Sequence, residues 1–341
     1  MEVSAMSITK KPSNAGFLCI CMSPAIDATV VLPFAPKGKG EIFKDVAEEE
    51  NVGGKTVNVA RWLAIRGAKV VCGGLLGEDN DGPFVRELAK YSIADGFVRV
   101  PGATRRNEMV TWPGGSVKLN RAAFPGLGDG VSGAGCAVDT VEALMDGVLS
   151  LRNFSSLTTG GRVVAILSGS LPPAIPKGFY AMAIAAFKAQ GWLTVLASSG
   201  EAMRLALEAG PDLIKPNADE CEPLVGFVPR TAGEFLRATG VLRRKAAHVI
   251  ISDGEAGAWF DGEFVAAPGV DAVDSTAAGD TLLAEYCWRA FGVCESPAEA
   301  ARWAVAAGSA ACTMPGGAPP PVEKVESLSE KVFAEGDGDC F

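Results

Sequence analysis

Histidine is nearly missing: His248 is the single one in 341 residues. A metal centre or nucleophilic triad made from histidine has little to draw on. His248 itself lies in the apolar run Ala246 to Ser252, where a core or strand-edge position is the simpler reading. Proton transfer is therefore left mostly to carboxylates. Long hydrophobic runs are missing too. No stretch reaches the roughly 18 apolar residues of a membrane-spanning helix, and Met1 to Ala15 is polar and mixed, without the apolar centre of a secretory signal. Positive charge is in deficit, with 31 Lys and Arg against 40 Asp and Glu and a net charge of −9. That argues against nucleic acid as a partner, because phosphate backbones call for a basic surface. No Gly-x-Gly-x-x-Gly follows the first apolar run, which weighs against a nicotinamide dehydrogenase.

What is abundant is small and apolar. The chain has 41 Gly and is 48% hydrophobic, enough for one large α/β domain. Nine cysteines are scattered, most in apolar runs, so free thiols in a reducing cytoplasm are expected rather than disulfides. Cys19 and Cys21 fall two apart in the first predicted strand and so point the same way. No second Cys or His pair with ligand spacing accompanies them.

The stretch around which the chain is organised is Asp274-Ser275-Thr276-Ala277-Ala278-Gly279-Asp280-Thr281. It joins an extended run (Phe264 to Val273) to a predicted helix (Leu282 to Phe291). Small residues at a strand-to-helix junction leave N–H groups free at the positive end of the helix, which is an anion site. Asp280 would compete with a bound phosphate there unless it meets the hydroxyl that attacks the phosphate. An ordinary N-terminal cap is the plainer alternative.

Upstream, strands and helices alternate. Phe17 to Met22, Lys69 to Gly74, Arg162 to Ser168, Leu193 to Leu196 and Asp212 to Ile214 read as buried strands, with helices between them. This pattern predicts a mostly parallel sheet with crossover helices. Asp27 follows the first strand at a break, as a ligand residue or a turn residue. Gly53, Gly54 and Lys55 open a helix; glycine allows close backbone approach and Lys55 suits phosphate, although the spacing is not that of a Walker loop. Arg105, Asn107 and Asn120 are polar groups in a sheet-like region. Gly126 to Ala137 is predicted as a loop, and Lys37 to Glu50 as charged and exposed.

Taken in order, these segments resemble the ribokinase-like carbohydrate kinases of the phosphofructokinase B family, and most of all the branch with 1-phosphofructokinase and tagatose-6-phosphate kinase. Ser23-Pro24-Ala25-Ile26-Asp27, Gly53 to Ala60, Thr104 to Asn107, Ser168 to Pro173, Ile214 to Asn217, Ser252 to Gly257 and the stretch at 277–280 look like the family's motifs, in the family's order. The resemblance runs from about Cys19 to Pro321. It implies a central mostly parallel sheet flanked by helices, with a small β-sheet lid from segments near 28–46 and 97–120. The domain would span 16–322, leaving mobile tails at 1–15 and 323–341.

The same resemblance implies roles. Asp280 would be the base, with Ala277, Ala278 and Gly279 supplying anion-hole amides. Asp27, Gly53, Gly54, Asn58, Asn107 and Asn120 would hold the sugar. Lys55 and Arg105 would favour a substrate that already carries phosphate. Lys215, Asn217 and the segment Ser252-Asp253-Gly254-Glu255-Ala256-Gly257 would meet ATP, and Asn217 with Glu220 would place Mg²⁺ through water. The lid implies a homodimer interface.

Several motif positions depart from the family. Ala277 replaces a glycine, and if the position needs φ > 0 its Cβ costs roughly 1 kcal/mol. Thr56 replaces a glycine where it could crowd a sugar, and Ala197 stands in place of an Asp. Met109 and Lys118 occupy lid positions where the branch commonly has Lys and a Thr-Glu pair. The expected function is ATP-dependent phosphorylation of a sugar phosphate such as fructose 1-phosphate, or fructose or tagatose 6-phosphate. The alternatives are a non-catalytic sugar-phosphate binding protein on a kinase scaffold and a kinase of an unphosphorylated sugar.

Overall fold

The computed structural model describes residues 13–124, 138–153 and 161–336. The predicted loop Gly126 to Ala137 lies outside these residues, as do positions 1–12 and 337–341 of the expected tails. In chain order the strands are β1 (Ala15–Cys21), β2 (Ala25–Val31), β3 (Ala47–Gly53), β4 (Lys69–Gly77), β5 (Ala94–Val100), β6 (Arg106–Trp112) and β7 (Gly115–Leu119), then β8 (Arg162–Ser168), β9 (Leu193–Ala197), β10 (Leu213–Ile214), β11 (His248–Ser252), β12 (Gly257–Phe260) and β13 (Glu263–Ala266). The longer helices are α1 (Lys55–Ile65), α2 (Gly82–Lys90), α3 (Val138–Leu149), α4 (Phe179–Lys188), α5 (Gly200–Leu207), α6 (Ala232–Leu242), α7 (Ala278–Cys287), α8 (Pro297–Ala311) and α9 (Val322–Gly336).

Nine strands form one sheet in the order β13-β12-β11-β10-β9-β8-β1-β4-β5. It is parallel from β5 to β11 and antiparallel over the last two strands. Parallel sheets must be covered on both faces, so their strands are apolar on both. β1 shows this directly. Phe17, Cys19 and Cys21 join a buried cluster with α1, α7 and α8, while Leu18 and Ile20 join the cluster with α4, α5 and α6 on the other face. Cys19 and Cys21 do share a face. Thr231 and Ser296 open α6 and α8 with capping boxes closed by Glu234 and Glu299, a local signal that the sequence reading did not use.

A second sheet of four strands, in the order β3-β2-β6-β7, stands apart from the first. Its composition differs from the expected lid segments. Residues 97–100 belong to β5 and pair with β4 in the large sheet. The lid-like sheet instead takes β3, from the stretch expected to be merely charged and exposed. Glu48, Glu49 and Glu50 hide that strand from periodicity, and Arg106 pairs with both Glu48 and Glu50.

Two further expectations are corrected. Phe264 to Val273 is not extended throughout: β13 ends at Ala266, just before Pro268, which has no N–H for a ladder. The N–H groups of Val273 and Asp274 bond instead to the carbonyl of Cys312, at 2.8 and 3.0 Å. Residues 323–336 are not a loose tail, because α9 buries Val325, Leu328 and Val332, an apolar stripe at helical spacing, against the core. Among the described residues no helix is long and apolar enough to cross a membrane.

Candidate active site

The carboxyl ends of β1, β8, β9, β10 and β11 converge where the chain order of the sheet reverses around β1, which is where open α/β sheets bind ligands. α7 enters this edge by its N-terminus. The turn before it is built by Asp274, whose Oδ1 accepts from the N–H and hydroxyl of Thr276 (2.9 and 2.7 Å) and whose Oδ2 accepts from the N–H of Gly316 (3.1 Å). Ala277, the residue before α7, has φ of 65°. The left-handed conformation that a glycine would take freely is therefore forced on an alanine.

Lys215 leaves β10 buried, with its ammonium reaching only the Ser252 hydroxyl, at 3.4 Å, among the described side chains. A Cβ on Gly279 would lie 3.1 Å from Lys215 Nζ, so the glycine admits the ammonium to the first turn of α7. An ammonium at the positive end of a helix is unfavourable unless an anion joins them. Burial lowers the pKa of Lys215, opposed by Asp280 and Glu220, while Lys55 pushes the same way as burial.

Asp280 sits in the first turn of α7 and accepts from Asn58 Nδ2, 2.9 Å from its Oδ2. Burial raises its pKa, against the Asn58 hydrogen bond and the charges of Lys55, Lys215 and Arg61. Asn58 is in turn held by Arg61, whose Nη2 donates to Oδ1 at 2.5 Å, and Arg61 Nη1 donates to Glu87 at 3.0 Å. The sequence reading missed Arg61 and Glu87. The signal was there in the three-residue spacing of Asn58 and Arg61, which puts both on one face of α1.

On the small sheet, Asp27 and Asn107 are cross-strand partners, and Asn107 Nδ2 donates to Asp27 Oδ1 at 2.8 Å. A Cβ on Gly53 would come within 1.9 Å of Asp27 Oδ2, so only glycine leaves that carboxylate in place. Gly54, with φ of 124°, turns the chain into α1. A cleft lies between this sheet and the loop before α7, lined by Asp27, Asn107, Met109, Lys118, Asp274 and Thr276 among others.

Other predicted residues sit differently from their expected uses. Lys55 Nζ lies 3.6 Å from Glu220 Oε1, and its charge acts on both Asp280 and Lys215. Arg105 is occupied by backbone: its guanidinium donates to the carbonyls of Pro24, Ser23 and Arg121 at 3.2, 3.2 and 2.9 Å. Asn120 is exposed just past β7, beside Arg121, whose N–H donates to Asn107. Thr56 does not crowd the cleft. It is fully buried, and its hydroxyl bonds the carbonyls of Ile20 and Ser168 at 2.9 and 2.7 Å, tying α1 to β1 and β8.

The segment 215–220 and the end of β11 are joined by a bridge between Asn217 and Ser252. This places Ser252 beside Lys215, and the chain continues through Asp253 and the turn Gly254–Ala256 into β12. Asn217 and Glu220 hold each other: Glu220 Oε2 accepts from Asn217 N at 2.9 Å, and Asn217 Oδ1 accepts from Glu220 N at 2.7 Å. Among the described residues no group of three His, Cys, Asp or Glu could hold a metal. Two hard oxygens suit an ion that keeps water and phosphate oxygens for the rest of its shell, as Mg²⁺ does.

Comparison with known proteins finds similarity over most of the chain. The family model for the pfkB family carbohydrate kinases matches residues 153–324. Over 92% of the chain and 95% of the relative, the sequence is 32% identical to a 1-phosphofructokinase of Rhodobacter capsulatus. It is 31% identical to a 1-phosphofructokinase of Escherichia coli strain K12, over 77% of the chain and 80% of the relative. Among solved structures, phosphofructokinase-2 from Escherichia coli in complex with fructose-6-phosphate superposes with a TM-score of 0.75 at 24% identity, covering 94% of this chain and 99% of that one.

Proposed function

The chain belongs to the pfkB family of carbohydrate kinases, and from that premise we propose that it transfers the γ-phosphoryl group of ATP to a hydroxyl of a sugar phosphate. The observation that carries this reading is the convergence of Asp280, Lys215 and the N-terminus of α7 on one point. The sugar hydroxyl gives its proton to Asp280 as its oxygen bonds the transferring phosphorus and the bond to ADP breaks. The amides of Ala277 and Gly279, with Lys215, are assigned to the charge on the transferring group; the expected third amide, Ala278, donates instead to the Ser275 carbonyl at 3.2 Å. A carboxylate of modest basicity suffices because the transition state is loose. Asn217, Glu220 and the 252–257 segment are assigned to the nucleotide side, where Mg²⁺ would neutralise phosphate charge when bound.

Asp27, Asn107, Gly53, Gly54 and Asn58 are assigned to the sugar. The relatives named 1-phosphofructokinase favour fructose 1-phosphate over a 6-phosphate. Lys118, the cation lining the cleft, supports an acceptor that already carries phosphate. The small sheet is assigned as a lid that keeps water from the phosphoryl group. Val31, Phe34, Ile42, Val117 and Leu119 are exposed on or beside it, which supports a homodimer through that face; a monomer by light scattering would remove that assignment. The described cysteines are all free thiols, which suits a reducing cytoplasm.

The test is ADP release with Mg-ATP and fructose 1-phosphate, fructose 6-phosphate, tagatose 6-phosphate, free fructose and ribose. Turnover of fructose 1-phosphate above the others is the expected result. Turnover of a free sugar alone overturns the phosphorylated-acceptor reading. A folded protein that binds ATP and turns over none of them overturns the kinase assignment for this class of acceptor.

A further inference from the structure

We propose that Arg61, braced by Glu87, is a positioning residue for Asp280: it fixes the side-chain amide of Asn58 so that the nitrogen, and not the oxygen, faces the carboxylate. The proposal rests on the reading of Asp280 as the base. An amide side chain is nearly symmetric in shape, and its two ends exchange by a half-turn. What decides between them is what each end meets. Arg61 is 5% exposed and sits one turn beyond Asn58 on α1. A guanidinium has donors only, so the atom of Asn58 at 2.5 Å from Arg61 Nη2 has to be its oxygen. The nitrogen is then left for Asp280 Oδ2, at 2.9 Å. Glu87, on α2, holds the other arm of the fork at 3.0 Å and stops the guanidinium from turning.

The consequence is chemical. An N–H directed at Oδ2 makes that oxygen an acceptor and leaves Oδ1 to take the proton of the sugar hydroxyl. Remove Arg61, and the amide can turn its oxygen toward Asp280, which only a protonated carboxyl satisfies. The charged groups facing Asp280 are Lys55 and Arg61 from α1 and Lys215 from the end of β10; Glu220 lies against Lys55. All three cations favour the ionised carboxylate, against burial. Loss of Arg61 thus removes one cation and unfixes the one donor, and both changes act in the same direction.

The experiment compares the parent with Arg61→Met, Arg61→Lys and Glu87→Gln in the full chain. It reads kcat and KM against pH with the sugar phosphate that the panel identifies, and uses a thermal melt as the fold control. Arg61→Met is expected to lower kcat about 100-fold at neutral pH. Its acid limb moves to higher pH, so part of the loss returns on raising the pH. Arg61→Lys, which keeps the charge without the fork, recovers part of the rate. Glu87→Gln shifts the limb the same way by less, and serves if Arg61→Met does not fold. A folded variant set whose profiles superpose on the parent's, or whose loss is the same at every pH, overturns the proposal. Asp280→Asn run alongside separates the two failures. If it still turns over, the base reading itself is wrong; if it is dead and the limbs do not move, only the positioning role is.

Discussion

α1 and α7 pack side by side and carry two clusters of charge, one at each end of their contact, and the two are built in opposite ways. Near their C-terminal ends Glu285 is fully buried and both of its oxygens are bonded: Trp62 Nε1 donates to Oε2 at 2.8 Å, and Arg289 Nε to Oε1 at 2.6 Å. Arg66 adds an ion pair at 3.3 Å, and Arg289 also bonds Glu295 at 2.7 Å. The guanidinium carbons of Arg66 and Arg289 lie 4.3 and 3.7 Å from the ring centres of Trp288 and Trp303. Near the N-terminal ends, Asp280 has a bond to one oxygen, and Lys215 a single long bond at 3.4 Å. In the first cluster the shared carboxylate is satisfied within the protein and ties the two helices together, although Arg66 Nε and Trp288 Nε1 are buried without a hydrogen-bond partner. The second is incomplete among the described residues: burial raises the pKa of Asp280 and lowers that of Lys215, and the proposed substrates would complete it.

Asp280→Asn separates the two most widely. Turnover should fall by about a thousandfold or more, since the proposed general base is lost, measured as ADP release with saturating Mg-ATP. Stability should not fall with it. The folded pKa of Asp280 is raised, so its contribution is fully present at low pH and is lost as pH rises through the folded value. At neutral pH the ionised carboxylate therefore costs stability, and Asn should melt at or above the parent. A marked drop in melting temperature would show that the active-site cluster is also structural.

Glu285→Ala is the reverse case. Leaving Arg66 and Arg289 buried without their shared carboxylate should cost about 3 kcal/mol of stability, read by denaturant unfolding. The rate per folded molecule should stay near the parent's, because no part of this cluster reaches the cleft. A large loss of kcat in a fully folded Glu285→Ala sample would mean that the two ends of the helix pair are coupled.

The same contrast explains what could be read from the sequence. The saturated parts of the fold were legible, because buried parallel strands and helices each leave a local pattern. The motif residues at 27, 53–58, 215–220 and 277–280 were legible by type and order, and the structure links them through Gly53 against Asp27, Asn58 with Asp280, Lys55 with Glu220 and Gly279 against Lys215. What failed was direction. Thr56 and Lys55 are neighbours on α1, yet one is buried against the backbones of β1 and β8 and the other turns to Glu220. Arg105 looks like a phosphate fork in sequence, and in the structure three of its five N–H donors go to backbone carbonyls, which orient it. β3 was hidden by its run of glutamates, whose partner Arg106 is more than fifty residues away. α9 was hidden by its surface acids, although Val325, Leu328 and Val332 carried the helical period. Ala197 closes β9 opposite Ser168, and the hydroxyl of the next residue, Ser198, bonds the Gly169 carbonyl at 2.9 Å.

The smallest effect falls on Ala277, the one motif departure where the sequence could state the cost only conditionally. The condition is met: φ is 65°. A Cβ in that conformation costs about 1 kcal/mol, while glycine gives back part of the gain through the greater freedom of its unfolded chain. Ala277→Gly should therefore stabilise by less than about 1 kcal/mol, seen as a small rise in the denaturant midpoint at unchanged slope. Its effect on catalysis discriminates further. The carbonyl of Ala277 accepts from both the N–H and the hydroxyl of Thr281, at 2.8 and 2.9 Å, so the first turn of α7 is pinned independently of the Cβ. If that pinning governs the anion site, kcat changes little. A clear rise in kcat with no gain in stability would mean that the methyl group narrows the site itself, and that the strain belongs to the ligand's space rather than to the backbone.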